Sequence, residues 1–343
     1  MFKKLLLTAF TLFLGFHIQA QQLKTDISVH DPVIIKQDSV YYIFCTGMGI
    51  SNWSSTDKVH WKREKQIFAA APQWVLDFLP AFTNHIWAPY ISYYNGTYYL
   101  FYSVSAFGKN TSAIGLATNT TLHPNSPAYK WVDHGQIIRS TPDRTNWNAI
   151  DPNLITDDKG TPYLAFGSFW DGLKLIKLKK DRLSVADDLT AIPTIATRKK
   201  APSAENPPSA EGNPVDAGGN AIEAPFMFKH DKYYYLFASI DYCCKGPKST
   251  YKMIIGRAKN IKGPFLDKAG IAMNKGGGSI LLEGDKDWYG VGHNGVSTFD
   301  GADYIAFHGY DAADKGISKL RLNKLNWVDG WPEIDKNELT TKK

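Results

Sequence analysis

The chain has 343 residues, 43% of them hydrophobic, 13% aromatic and 21% charged, with a formal net charge of +6. That composition describes a soluble globular protein with a sizeable core and excludes disordered, collagen-like and polytopic membrane chains. Three cysteines are too few for a disulfide scaffold, and the positive excess is spread along the chain without the basic stripe that nucleic-acid binding requires.

Met1 to Ala20 places Lys3 and Lys4 ahead of the apolar run LLLTAFTLFLGF and closes on Ile18-Gln19-Ala20, the pattern of a secretory leader cleaved after Ala20. The run is too short for a comfortable membrane span, and no cysteine stands at the cleavage point to carry a lipid. The expectation is an exported monomer, periplasmic or secreted, free of the membrane, with a single domain from residue 21 to 343.

The first element past the leader, HDPVIIKQDSVYYIF from His30, reads as a short strand, a polar turn and a second strand dense in Tyr and Phe. The same arrangement returns as WAPYISYYNGTYYLF from Trp87, IDPNLITDDKGTPYLAF from Ile150, EAPFMFKHDKYYYLF from Glu223 and HNGVSTFDGADYIAF from His293. Between these pairs SAIGLATN, KLIKLK, YKMIIGRAKN and SKLRLNKLNW alternate or run apolar as outer strands do. Five strand-rich units with little helical periodicity predict an all-β fold, a five-bladed β-propeller.

Two features stand outside the repeat. Arg198 to Asn220, RKKAPSAENPPSAEGNPVDAGGN, is too rich in Pro, Gly and polar residues to pack a core and reads as an excursion between blades three and four. Cys45 and the adjacent Cys243 and Cys244 are expected as buried thiols on strands. A bond from Cys45 to one of the pair stays open, since neighbouring cysteines rarely bridge each other.

In a propeller the innermost strands line the axis, so residues at their equivalent ends converge on one face. Here those residues are His30-Asp31, Trp87-Ala88, Ile150-Asp151, Glu223-Ala224 and His293-Asn294. Three acids, Asp31, Asp151 and Glu223, therefore meet at one mouth. A single Asp before Pro is an ordinary turn residue, but three acids at matching repeat positions form a site. Crowded carboxyls push one another's pKa values apart, as acid–base catalysis requires. Glu223 lies two residues before its proline where the two Asp lie one before theirs, so it must enter from another side. Trp87, Phe107 and Trp170 fall at strand ends or in loops, where aromatic faces stack on sugar rings, and glycosidic cleavage uses a pair of carboxyls.

The motifs HDP, IWAP, WNAIDP, GSFW, IEAP, DYCC and GHN, in this order, together with YSVSAFGKNTSAIGLATNTTL, resemble the arabinanases of glycoside hydrolase family 43 over nearly the whole mature chain. The resemblance implies inverting hydrolysis of α-1,5-linked L-arabinofuranosyl chains of plant cell-wall arabinan, with endo action expected. It assigns Asp31 as general base, Glu223 as general acid and Asp151 as the residue that orients the acid and keeps its pKa raised. His30, Trp87, Ala106, Phe107, Asn148, Ala149, Ile150, Ser168, Phe169 and Trp170 are implied to contact substrate. His293 is implied to help hold a buried cation, calcium in many relatives, largely through waters. Two positions depart from the family pattern: Tyr90 stands where Asp is usual after WAP, and Gly295 where Ser is usual after GHN. The other readings are a glycan-binding propeller without turnover, for which Tyr90 speaks, and an exo-acting arabinofuranosidase or xylosidase.

Overall fold

The computed structural model describes residues 26–142, 144–198 and 220–335. The leader and most of the 198–220 excursion lie outside the described residues, although its ends are tied: the Arg198 N–H donates to Asn220 Oδ1 at 2.7 Å.

Among the described residues five antiparallel sheets of three to five strands follow one another along the chain, and a two-stranded ribbon, Asn326–Val328 with Trp331–Glu333, comes after the last. Their innermost strands are Val33–Gln37, His85–Tyr94, Asn153–Thr156, Ile222–His230 and Trp288–Phe299, each pairing with the Tyr- and Phe-rich strand that follows it. The apolar faces of neighbouring sheets form the core, in clusters such as Tyr42, Ile86, Leu100 and Val104 between blades one and two. The circle closes through the N-terminus. Leu320 N–H, on the third strand of blade five, donates to Ile27 O at 3.0 Å, and Ser28 bridges Lys319. Residues 26–29 thus complete the fifth blade. Among the described residues no helix is long and apolar enough to cross a membrane.

What positions the site is a bend repeated at the mouth of every inner strand. Asp31, Ala88, Asp151, Ala224 and His293 all adopt left-handed backbone, with φ of 52°, 41°, 59°, 54° and 53°. In blades two, four and five the register breaks at this point. Left-handed backbone costs an Ala or His about 1–2 kcal/mol, so the surroundings must hold it. They do so through the bent residue's N–H, which reaches into the preceding blade. Ala88 donates to Thr46 Oγ1 at 2.8 Å, Asp151 to Ser103 Oγ at 3.0 Å, His293 to Ser239 Oγ at 2.9 Å and Asp31 to His308 Nδ1 at 3.1 Å. The four acceptors occupy one structural position at the end of each second strand. Blade three has Gly167 there, and the Asp151 carboxylate takes over, accepting the Ala224 N–H at 3.1 Å.

The bend corrects the sequence alignment at its fifth member. His293, not Asn294, matches Asp31, Ala88, Asp151 and Ala224, and Asn294 matches the prolines. The same bend resolves the offset of Glu223. It is the residue before the bend, equivalent to His30, Trp87 and Ile150, whereas Asp31 and Asp151 are the bend. Both departures from the family pattern also have places. A Cβ on Gly295 already sits 3.2 Å from Val33 Cγ2 and 3.3 Å from Val33 Cα, a close approach of blades five and one that leaves little room for a longer side chain. Tyr90 packs its ring on Phe226 and donates its hydroxyl to Leu154 O at 2.8 Å, filling the axis.

Replacing a ring acceptor without touching the cleft tests this construction. Ser239→Ala leaves the buried His293 N–H without its partner, at a cost of about 1–3 kcal/mol. Thermal melting is expected to drop by several degrees, while the exposed Thr298→Ala leaves it unchanged. Equal melting of the two variants would contradict the ring.

Candidate active site

The mouth formed by the five bends opens into a cleft of about 890 Å³. Asp31, Asp151, Glu223 and His293 line it, and so do His30, Trp87, Ala106, Phe107, Asn148, Ile150, Ser168, Phe169 and Trp170. Ala149 does not. Its side chain is fully buried with Phe101 and Leu164 in the core between blades two and three, and its N–H donates to Ser140 Oγ at 3.0 Å. Extended backbone alternates its sides, so only its two neighbours face the cleft. Tyr90 is absent from the cleft wall as well. It borders a smaller hollow of about 460 Å³ at the opposite ends of the same inner strands.

The three acids differ sharply in environment. Asp31 is buried, with Oδ1 2.8 Å from His30 Nδ1 and 2.9 Å from His293 Nδ1, and Oδ2 2.5 Å from Thr46 Oγ1. Burial alone would raise its pKa, but His293 and His30 outweigh it and hold the carboxyl well below the usual range. Asp31 is therefore ionised throughout the working range. Among the described residues no imidazole is bonded to Asp151, and the nearby charge of His293 does not offset its burial. Burial, with the Glu223 and Asp31 charges added, pushes it up to about 8. Glu223 takes a hydrogen bond from Ser168 Oγ at 2.8 Å, and burial still raises its pKa, reinforced by the charge of Asp31. Asp151 and Glu223 are thus both disposed to hold protons beside an ionised carboxylate.

The histidines complete this balance. Burial opposes protonation of His293, yet the negative charge of Asp31, then of Asp151 and Glu223, raises it to about 9. Burial drives His308 well below its ordinary pKa, leaving a neutral ring whose Nδ1 accepts the Asp31 N–H. Sequence reasoning missed His308, Thr46 and Tyr310. All three belong to second strands or their ends, where the signal is their pairing opposite an inner-strand mouth and not any motif of their own.

The aromatic walls are built differently from one another. Phe107 is 78% exposed on the loop between the second and third strands of blade two, a free face at the rim. Phe169 and Trp170 both have left-handed backbone, and Trp170 O accepts from Asn220 Nδ2 at 2.7 Å. Beneath them the buried pair Lys174–Asp171, 2.6 Å apart, braces the turn. The cysteines correct expectation: Cys243 and Cys244 are bonded to each other and line the cleft, while Cys45 is the buried free thiol.

As for a cation, metal-ligating atoms cluster among the described residues at His30, Asp31 and His308, and at His30, Cys243 and Cys244. Neither set fits one: Asp31 Oδ1 already meets two imidazoles, His308 Nδ1 is occupied by an N–H, and the cysteines are oxidised. His293 fits better. Its Nδ1 meets Asp31 and leaves Nε2 for another ligand, and the buried amide of Asn294 next to it has no partner for either of its polar atoms, as a water-clad ion would require.

One ionised carboxyl and one proton-bearing carboxyl in a cleft with aromatic rims are the equipment for acid–base cleavage of a glycosidic bond. Comparison with known proteins agrees. The family model for glycosyl hydrolases family 43 matches residues 25–332. The chain is 46% identical over 314 residues to an extracellular exo-alpha-(1->5)-L-arabinofuranosidase of Cellvibrio japonicus, covering 91% of this chain and 88% of the relative. It is 43% identical over 308 residues to an extracellular endo-alpha-(1->5)-L-arabinanase of Bacillus subtilis, covering 89% and 87%. The solved structure of a Cellvibrio cellulosa alpha-L-arabinanase complexed with arabinohexaose superposes with a TM-score of 0.85 at 45% identity, over 91% of this chain and 97% of that one.

Phe107→Ala is expected to raise KM for an oligosaccharide several-fold, consistent with the loss of one stacking face worth about 1 kcal/mol, while kcat and melting temperature hold. An unchanged KM would remove Phe107 from the substrate path.

Proposed function

This chain belongs to glycosyl hydrolase family 43, and from that premise we propose that it is an exported, monomeric enzyme that cleaves α-1,5-linked L-arabinofuranosyl bonds of arabinan with inversion. The observation that carries the mechanism is the contrast between Asp31, held ionised by two histidines and a threonine, and Glu223, kept protonated by burial beside Asp151. Asp31 takes a proton from water as it attacks the anomeric carbon, and Glu223 delivers its proton to the departing oxygen. Asp151 acts through Glu223. Its carboxylate holds the Ala224 N–H, fixing the strand next to the acid, and its proximity disfavours ionisation of Glu223. Ser168 aims the acid from the other side. Export is supported by the extracellular names of both relatives.

Those relatives divide between exo and endo action at similar identity, so the expected endo mode is read from products. Debranched arabinan should yield a ladder of intermediate oligosaccharides early in digestion; a single short product from the first minutes would establish exo action. No rise in reducing ends at all would overturn the enzymatic assignment.

Glu223→Gln is expected to abolish arabinan cleavage, by about 10³-fold or more, and to spare aryl arabinofuranosides, whose leaving groups need little protonation. In the parent enzyme kcat/KM should fall as pH rises through ionisation of the Glu223–Asp151 pair. Asp151→Asn removes the neighbouring carboxyl, so Glu223 loses its proton more easily and this alkaline limb should move to lower pH, by about one unit. A limb that stays in place would show that Asp151 does not act on the acid.

We also assign the neutral form of His293, with its hydrogen on Nδ1 toward Asp31 and its Nε2 lone pair toward the ion's water shell, together with the Asn294 amide, to a hydrated cation, calcium by resemblance; the ion's charge would stand in for the proton that the acids otherwise hold on the imidazole. When bound it supplies positive charge among the acids. Chelator is expected to lower the melting temperature, added calcium to restore it, and His293→Ala to remove the response. Melting that is indifferent to both reagents would contradict the assignment.

A further inference from the structure

The cleft wall carries a feature the mechanism has not used. Cys243 and Cys244 follow the second strand of blade four, and Cys244 is solvent-exposed with left-handed backbone at φ 65°. A non-glycine residue holds that conformation at a cost of about 1–2 kcal/mol, and the bond to its neighbour closes a small ring through the intervening peptide that confines it there. So placed, the Cys244 N–H donates to Tyr310 Oη at 2.7 Å. Tyr310 is buried on the second strand of blade five, and its oxygen lies 2.8 Å from His30 Nε2.

A backbone N–H can only donate, so Tyr310 Oη accepts from Cys244; the Asp31 carboxylate can only accept, so the neutral His30 ring carries its hydrogen on Nδ1 and its Nε2 accepts the Tyr310 hydrogen. The Nδ1 hydrogen lies on Asp31 Oδ1 at 2.8 Å. His30 is also stacked on His308, centroids 3.9 Å apart at 26°, which fixes the plane of the ring but not its tautomer. With the opposite tautomer the Nδ1 lone pair would face the Asp31 carboxylate.

We propose that the Cys243–Cys244 disulfide and Tyr310 are positioning elements of the reaction: through His30 they hold the general base Asp31 in register, so that reducing the disulfide impairs catalysis on the base side. The proposal rests on Asp31 being the base. Reduction by a water-soluble phosphine balances as one disulfide, one phosphine and one water giving two thiols and phosphine oxide. Freed of its ring, Cys244 relaxes from left-handed backbone and its N–H leaves Tyr310. The phenol is then free to turn, and His30 loses the donor that holds its Nε2 and with it the anchor that keeps its Nδ1 on Asp31.

The test uses the intact enzyme and an aryl arabinofuranoside, before and after treatment with tris(2-carboxyethyl)phosphine, with free thiols counted. Tyr310→Phe and the double variant Cys243→Ser with Cys244→Ser run beside it, and Asp31→Asn is the control. Azide is the diagnostic. It forms the new bond to the anomeric carbon as the aryloxide leaves and, being an anion, needs no base. Reduction and both variants should lower kcat about tenfold or more with KM within twofold, and azide should restore much of the loss, as it does for Asp31→Asn. Reoxidation should return the parent rate. An unchanged kcat after two further thiols are titrated overturns the proposal, as does a loss that azide leaves untouched although it rescues Asp31→Asn. If azide fails to rescue Asp31→Asn itself, the assignment of the base falls, and the proposal with it.

Discussion

A buried N–H must find an acceptor, and in this protein five of them decide where the chemistry sits. Each inner strand bends into left-handed backbone where it enters the cleft, and each bend is held by a side chain from the blade before it. The bends and the interblade bonds form one closed circuit. Because the circuit places two successive residues of every blade at the mouth, it supplies a deep tier, to which Asp31, Asp151 and His293 belong, and a rim tier containing His30, Trp87, Ile150 and Glu223. The two carboxyls assigned as base and acid come from different tiers of blades one and four. A water and a sugar can then be set between groups that approach from different depths.

The electrostatic asymmetry follows from the same circuit. Asp31 gives its N–H to His308 and is left with both carboxylate oxygens for His30, His293 and Thr46. Asp151 spends an oxygen on Ala224 because Gly167 has no side chain to offer. One acid is surrounded by donors and stays charged; the other two, with fewer donors and more burial to answer, are held toward their protonated forms. Thr46 has a double part, accepting the Ala88 N–H and donating to Asp31, so the structural circuit and the reacting group are joined through a single hydroxyl.

Much of this was legible in the sequence, and the misses have physical causes. The alternation of Tyr- and Phe-rich strands with polar turns gave the blade count, and acids recurring at inner-strand entries gave the site, since both are local patterns that repeat. The fifth entry was read one residue late because GHN has no proline to mark the bend, and φ is invisible where no special residue announces it. Ala149 was placed on the cleft because it stands between two residues that are. The bond between Cys243 and Cys244 ran against the general rarity of neighbouring bridges, which a left-handed Cys244 makes accommodating here. His308, Thr46 and Tyr310 went unnoticed because they act across strand pairs, and a pairing partner in the next strand or the next blade leaves no mark in its own segment.

The account stands on Asp31 activating water from the face opposite the leaving group while Glu223 protonates the departing oxygen. Proton NMR of the first-formed reducing ends, recorded before mutarotation, reads this directly. Single displacement requires the β-anomer from the α-linked chain; initial release of the α-anomer would mean a covalent intermediate and would contradict the assignment of Asp31 as base.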